Sequence, residues 1–131
     1  MVTGAAGGIG RASARRMASE GASVFCVDLD REAVEATVSE IVDLGGEASA
    51  QACDVADEVS VRDSVKACVS RYGSLYALVN MAGLLRFDDT EQLATADWQR
   101  LLDVNLTGTM LLCREALPHL LVSGGSIVNA A

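Results

Sequence analysis

Short apolar runs alternate with stretches of helical period along this chain, and that alternation restricts the fold more than any other feature. Residues 9–20 carry a helical pattern closed by Gly21. Ser23–Asp28, SVFCVD, is a continuous apolar run suited to a strand buried on both faces. A second helix is expected from the cap Asp30 to about residue 44, with Val34, Val38, Ile41 and Val42 on one face and Gly45 and Gly46 behind it. Residues 47–55 read as a weaker strand. Val61, Val65, Cys68, Val69 and Tyr72 then form a helical stripe stopped by Gly73. Residues 75–80 make another buried strand. The span 97–122 is helical but interrupted by Asn105, Gly108 and Pro118, which predicts a break or kink. Residues 126–131 begin one more strand. Strands alternating with helices give parallel pairing and right-handed crossovers. The expected class is α/β, an open, doubly wound parallel sheet of order 3-2-1-4-5.

The first turn of that sheet is rich in glycine. Thr3-Gly4-Ala5-Ala6-Gly7-Gly8-Ile9-Gly10 lies where the first strand hands over to the first helix. In a doubly wound sheet a ligand sits beside such a helix N-terminus, at the carboxyl ends of the strands. Gly4 can supply the tight turn, Gly8 lets the backbone approach a pyrophosphate, and Gly10 lets the helix pack closely. The helix start then directs free N–H groups and its positive dipole end at the phosphates. A plain glycine-rich turn would look the same in isolation. Asp28, which follows Gly10 by 18 residues and ends the second strand, adds a second signal. A carboxylate there accepts hydrogen bonds from both ribose hydroxyls of an adenosine and repels a 2′-phosphate. The alternative is that Asp28 only starts a turn or caps the next helix.

Composition excludes several classes. The chain has 131 residues, a length for one domain, and a formal charge of −8. Such acidity argues against nucleic acid and anionic membrane as partners. No run approaches a membrane span and no signal peptide is visible. Cys26, Cys53, Cys68 and Cys113 lack metal-ligand spacing and His119 is the only histidine, so no metal is expected. Buried, reduced thiols and a cytoplasmic location are the expectation.

The glycine turn TGAAGGIG resembles the TGxxxGxG fingerprint of the short-chain dehydrogenase/reductase family, and the resemblance extends along the chain in order. Asp54-Val55 is similar to the family's adenine-contacting pair after the third strand. Asn80-Met81-Ala82-Gly83 resembles its NNAG motif, with Met for the second Asn. VNLTGT resembles the segment that carries the catalytic asparagine, here Asn105, and GSIVNAA resembles the start of the fifth strand. The resemblance implies a Rossmann-type domain over residues 1–131, with Thr3, Gly4, Gly8, Ile9, Gly10, Asp28, Leu29, Asp54, Val55, Asn80, Ala82 and Gly83 around the cofactor. It implies NAD in preference to NADP, since Leu29 and Gly7 offer a phosphate no charge. It further implies hydride transfer between nicotinamide and a carbonyl or secondary alcohol, a small-molecule substrate, and a homo-oligomer of the family's kind. Asn105 would hold a water in the proton relay.

Family members are about twice as long, as single α/β domains often are. Their serine and Tyr-x-x-x-Lys are absent here: Lys66 is the only lysine and precedes both tyrosines, Tyr72 and Tyr76. Only Met1, Val2 and Thr3 precede the turn, so the central strand is short and the domain is expected to be partial, clipped at both ends. Main-chain groups near Ser23 and Leu75 should then lack ladder partners, and the strand at 126–131 should be an exposed edge prone to association. Trp98, Leu101 and Leu102 are expected in the core or a subunit contact. Arg86, Asp88 and Asp89 are expected in an exposed loop. Arg11 and Arg31 read as solvated helix charges, and as the residues best able to reach a 2′-phosphate. The alternative to an oxidoreductase segment is a non-catalytic dinucleotide-binding or interaction module. Without the acid–base set, the 131-residue chain by itself is expected to show no dehydrogenase activity. Enzyme-dependent NADH formation from a panel of secondary alcohols would count against this.

Overall fold

A computed structural model describes residues 1–87 and 89–130. Asp88, expected in a loop, and Ala131, expected in the last strand, lie outside the described residues. Five parallel strands form one sheet in the order β3-β2-β1-β4-β5. They are β1 Val2–Thr3, β2 Ser23–Asp28, β3 Glu47–Ala52, β4 Ala77–Asn80 and β5 Ser126–Asn129. The helices are α1 Gly8–Ser19, α2 Arg31–Asp43, α3 Glu58–Tyr72, α4 Thr95–Leu102 and α5 Gly108–Ser123. A π-helical turn, Asp103–Thr107, joins the last two.

The helices divide between the two faces of the sheet, each with its own apolar cluster. Ala14, Ala18, Val34 and Ile41 of α1 and α2 pack with Val2, Val24, Cys26 and Val79. Val61, Val65 and Cys68 of α3 and Leu111, Leu112, Ala116 and Leu120 of α5 pack with Phe25, Val27 and Leu78 on the other side. Val24 and Cys26 thus point to one cluster and Phe25 and Val27 to the other, which is why the interior of that strand is apolar without alternation.

Local signals set most boundaries. Asp30 caps α2 by accepting from the Ala33 amide at 3.1 Å, and Asp57 caps α3 by accepting from Ser60 at 2.6 Å. Gly73 closes α3 in the left-handed conformation, φ 77°. β3 stops at Ala52, earlier than residue 55, because the Asp54 side chain accepts from the Ala56 amide and turns the chain toward α3. The interruption expected in 97–122 is the π turn, while Pro118 lies inside a continuous α5. α4 has no buried residue, and Trp98 is half exposed, so Trp98 is not part of the core.

β1 is two residues long and pairs with β2 at Cys26 and Val27 and with β4 at Val79. Beneath it, Met1, Ser23, Tyr72 and Leu75 border a cavity of about 530 Å³. The Met1 ammonium donates to the Ala77 carbonyl at 2.8 Å, and burial lowers its pKa. Leu75 lies before β4, which begins at Ala77, and its carbonyl accepts from the Ser123 hydroxyl at 2.7 Å in place of a ladder partner. The outer strand β5 is largely exposed, with Val128 half open to solvent.

The turn after β1 is built from main chain in contact with main chain. Gly4 has φ 64°, and a Cβ there would stand 2.7 Å from the Met81 carbonyl. A Cβ on Gly10 would collide with the Gly4 carbonyl, so α1 leaves the sheet at its closest possible approach. Gly7 is extended and has open space around its missing Cβ. Gly10→Ala is therefore expected to cost on the order of 3 kcal/mol, because no side chain can move aside. Gly7→Ala should stay within about 0.5 kcal/mol of the parent. Urea unfolding of the two variants checks the contrast.

Candidate functional site

A cleft of about 620 Å³ opens at the carboxyl ends of the central strands. Its floor is the glycine turn, Gly4 and Ala6 to Gly10. Asp28 and Leu29 at the end of β2 form one side, Cys53, Asp54 and Val55 after β3 extend it, and Met81 to Leu84 after β4 form the other. Arg100 and Val104 close it from above. This is the position a doubly wound sheet gives to a ligand, beside the point where strand order reverses.

The start of α1 differs from those of α2 and α3. Its N-cap is Gly7, which offers no side-chain acceptor, and its first turn has no acidic residue. Gly8, with φ 49°, begins the helix with open space where a Cβ would be. The first amides of α1 therefore face the cleft without a protein cap, and the helix dipole adds positive potential there. An anion of phosphate type fits this end.

Asp28 is tied to the same turn. One carboxylate oxygen accepts from the Ala6 amide at 3.0 Å and the other from Asp30 at 3.2 Å. Each oxygen keeps further lone pairs for hydroxyl donors in the cleft. Its role is not that of a helix cap, which belongs to Asp30.

Three of the expected residues do not line the cleft: Thr3 and Asn80 are buried behind its wall, and Asn105 is exposed. Thr3 is fully buried, and its hydroxyl oxygen accepts from the amides of Met81 (3.1 Å) and Ala82 (3.0 Å), so it locks the end of β1 to the loop after β4. Asn80 is buried too. Its Nδ2 donates to Asn129 Oδ1 at 2.8 Å, joining β4 to β5, and its own Oδ1 has no partner among the described residues. Asn105 sits in the π turn, where its Nδ2 donates to the Leu84 carbonyl at 2.9 Å and its Oδ1 accepts from the Leu84 amide at 2.7 Å. Its side chain is thus committed to main chain. The π turn supplies the sideways aim for this brace, and Gly108 next to it lets α5 approach Val55, whose carbonyl would stand 2.9 Å from a Cβ.

The remaining expected residues, Gly4, Gly8, Ile9, Gly10, Asp28, Leu29, Asp54, Val55, Ala82 and Gly83, all line the cleft. Arg11 and Arg31 do not. Arg11 is paired with Glu40 on α2, and Arg31 with Glu35 at 3.1 Å. The basic residue on the wall is Arg100, whose Nη2 donates to Asp54 Oδ2 at 3.2 Å. Nothing in the sequence separates Arg100 from an ordinary solvated helix charge. Leu84 was also missed, since its contribution is a backbone amide and carbonyl.

The four cysteines are free, and Cys26, Cys53 and Cys68 are buried. Burial pushes the Cys26 thiol up to about 11 and raises Cys68 as well, so neither is a thiolate nucleophile at neutral pH. No group of His, Cys, Asp or Glu suited to a metal ion occurs among the described residues. Among them, no helix is long and apolar enough to cross a membrane.

The model of the family described as short chain dehydrogenase matches residues 1–131. D-threitol dehydrogenase of Mycolicibacterium smegmatis is 42% identical over 135 residues, which cover 100% of this chain and 51% of that one. Cyclohexanol dehydrogenase of an Acinetobacter strain is 38% identical, over 100% of this chain and 53% of its own. A crystal structure of a metagenomic short-chain oxidoreductase in complex with NADP superposes with a TM-score of 0.92 at 36% identity, covering 98% of this chain and 59% of that one. The chain spans about half the length of the curated relatives it matches. With a family model matching along its whole length and relatives near 40% identity, the chain belongs to the short-chain dehydrogenase family.

Proposed function

We propose that residues 1–131 form a single, partial dinucleotide-binding domain of an oxidoreductase that moves a hydride between a nicotinamide and a carbonyl or secondary alcohol. The family binds NAD(P), and the uncapped start of α1 in the floor of the cleft supports a pyrophosphate there. When bound, the nicotinamide supplies or takes the hydride. The chain's own residues orient it: the glycine turn offers amides, Asp28 offers acceptors for ribose hydroxyls, and Thr3 and Asn80 hold the strand ends that carry the two sides of the cleft.

Asn105 is the one member of the acid–base machinery we assign to this chain. Its side-chain amide is occupied by Leu84, so a relay water beside it would meet its main-chain carbonyl, which also accepts from the Thr109 hydroxyl at 3.0 Å. The substrate is a small carbonyl or alcohol, as the names of the threitol and cyclohexanol relatives suggest. Self-association belongs to the same proposal, supported by the exposed apolar side chains Trp98, Leu106, Met110, Leu117 and Leu121. Four free thiols support a reducing, cytoplasmic location.

The preference we propose is NAD over NADP. The observation that carries it is the Asp28 carboxylate fixed at the mouth of the glycine turn, with Arg11 and Arg31 both drawn away to glutamates. A 2′-phosphate would meet that carboxylate and no free guanidinium nearby. Asp28→Ala is expected to weaken NAD binding by about ten- to a hundredfold, the loss of hydrogen bonds to a charged acceptor, and to reduce the preference over NADP. Calorimetric titration of both dinucleotides checks this. Tighter binding of NADP by the unmodified protein would overturn the assignment and direct attention to Arg31.

A further inference from the structure

One buried side-chain oxygen, Asn80 Oδ1, has no hydrogen-bond partner among the described residues, although Asn80 is only 4% exposed. An orphan of this kind is costly and calls for a donor. The nitrogen of the same amide is engaged twice. Nδ2 donates to Asn129 Oδ1 at 2.8 Å and to Cys113 Sγ at 3.6 Å. The fold sets this cluster. Asn80 pairs in register with Asn129 at the carboxyl ends of β4 and β5, and Cys113 comes to them from α5, its sulfur 4.0 Å from Asn129 Oδ1. None of the three residues lines the cleft, so the cluster stands apart from the dinucleotide reading.

Cys113 differs from the other cysteines. Cys26, Cys53 and Cys68 are buried, whereas Cys113 is half-buried and its neighbour Asn129 is exposed, so the cluster borders solvent on the β5 side. The thiol as it stands leaves Asn80 Oδ1 unsatisfied. An S–H is a weak donor, and this one is directed at Asn129 Oδ1. A hydroxyl carried on that sulfur is a much stronger donor and extends one bond further toward the amide.

We propose that Cys113 is a site of reversible oxidation, at which hydrogen peroxide converts the thiol to a sulfenic acid held by the Asn80 amide. The sulfur, as thiolate, attacks one peroxide oxygen. An S–O bond forms as the O–O bond breaks, the sulfur is oxidised, and the peroxide is reduced. The attacked oxygen keeps its hydrogen and becomes the sulfenic hydroxyl. The departing hydroxide takes up the proton released by the thiol and leaves as water. The sulfenic O–H then donates to Asn80 Oδ1, and the sulfenic oxygen accepts from Asn80 Nδ2. One side chain thus supplies both the acceptor and the donor that a sulfenic acid requires. Without a held sulfenic acid, further peroxide carries the sulfur on to the sulfinic state.

The test exposes the 131-residue chain to hydrogen peroxide, removes the excess with catalase, and labels the surviving sulfenic acid with dimedone. Peptide mass spectrometry then locates the adduct. Cys113 is expected to carry it on the order of tenfold above Cys26, Cys53 and Cys68, which are buried. Asn80→Leu keeps the branched shape and removes both polar atoms. Its Cys113 adduct should fall about fivefold, the value of one net hydrogen bond, while alkylation of Cys113 by iodoacetamide stays at the parent rate. Asn129→Ala leaves the Asn80 amide in place and should keep the adduct. A parent protein with no adduct at Cys113, or with adducts spread evenly over the four cysteines, overturns the inference. An Asn80→Leu protein with an undiminished adduct also overturns it, and so does a fall matched by an equal fall in alkylation, since access alone then explains both. If Asn80→Leu fails to fold, Asn129→Ala decides: retention of its adduct supports the assignment to Asn80, and loss overturns it.

Discussion

The arrangement depends on a buried threonine hydroxyl. Thr3 closes the two-residue central strand, and its main chain pairs with β2 while its Oγ1 accepts two amides from the chain leaving β4. The halves of a doubly wound sheet diverge at this point. A gap must open there for a ligand, and the same gap ends the main-chain ladder between β1 and β4 beyond the Val2–Val79 pair. One side-chain oxygen with two lone pairs carries the connection past the end of that ladder without filling the gap. Gly4 takes its close approach to Met81 from this constraint, and Gly10 takes its approach to Gly4 from the turn that results.

The polar contacts around the cleft share a pattern. Asp28 holds Ala6, Asn105 holds Leu84 and Asp54 holds Ala56. In each case a side chain satisfies main chain that leaves a strand or turn with no ladder to join. The residues with chemical potential are thus also those that shape the walls, so substitution at any of them is expected to alter geometry along with charge. Thr3 and Asn80 are the extreme cases, since neither reaches the cleft surface.

Much of the fold was legible because its signals are local. The continuous apolar run of β2, the Asp30 cap and the left-handed Gly73 each state their structure within a few residues. The glycine turn and Asp28 were legible together, since their spacing fits one βαβ crossover. The pattern failed where structure is set at a distance. Trp98, large and apolar, read as core or a subunit contact; α4 packs no residue inside, so the core half of that reading fails. Arg11 looked able to reach a phosphate until Glu40, far along the chain, claimed it. Arg100 was invisible, because its partner belongs to another strand end. The π turn was sensed only as an interruption, since its cause is the Asn105 brace to Leu84.

The lightly anchored α4 has a consequence for how the cleft moves. The glycine floor and the strand ends belong to cooperative, buried structure, whereas α4 is held by ion pairs from Arg100 and Arg86 that water and salt reach. Local opening with low free energy concentrates in such segments. The wall beside Asp54 is therefore expected to open more readily than the glycine floor. Amides of α4, which buries no residue, are expected to exchange their hydrogens ahead of those of α1 and α3, which bury several.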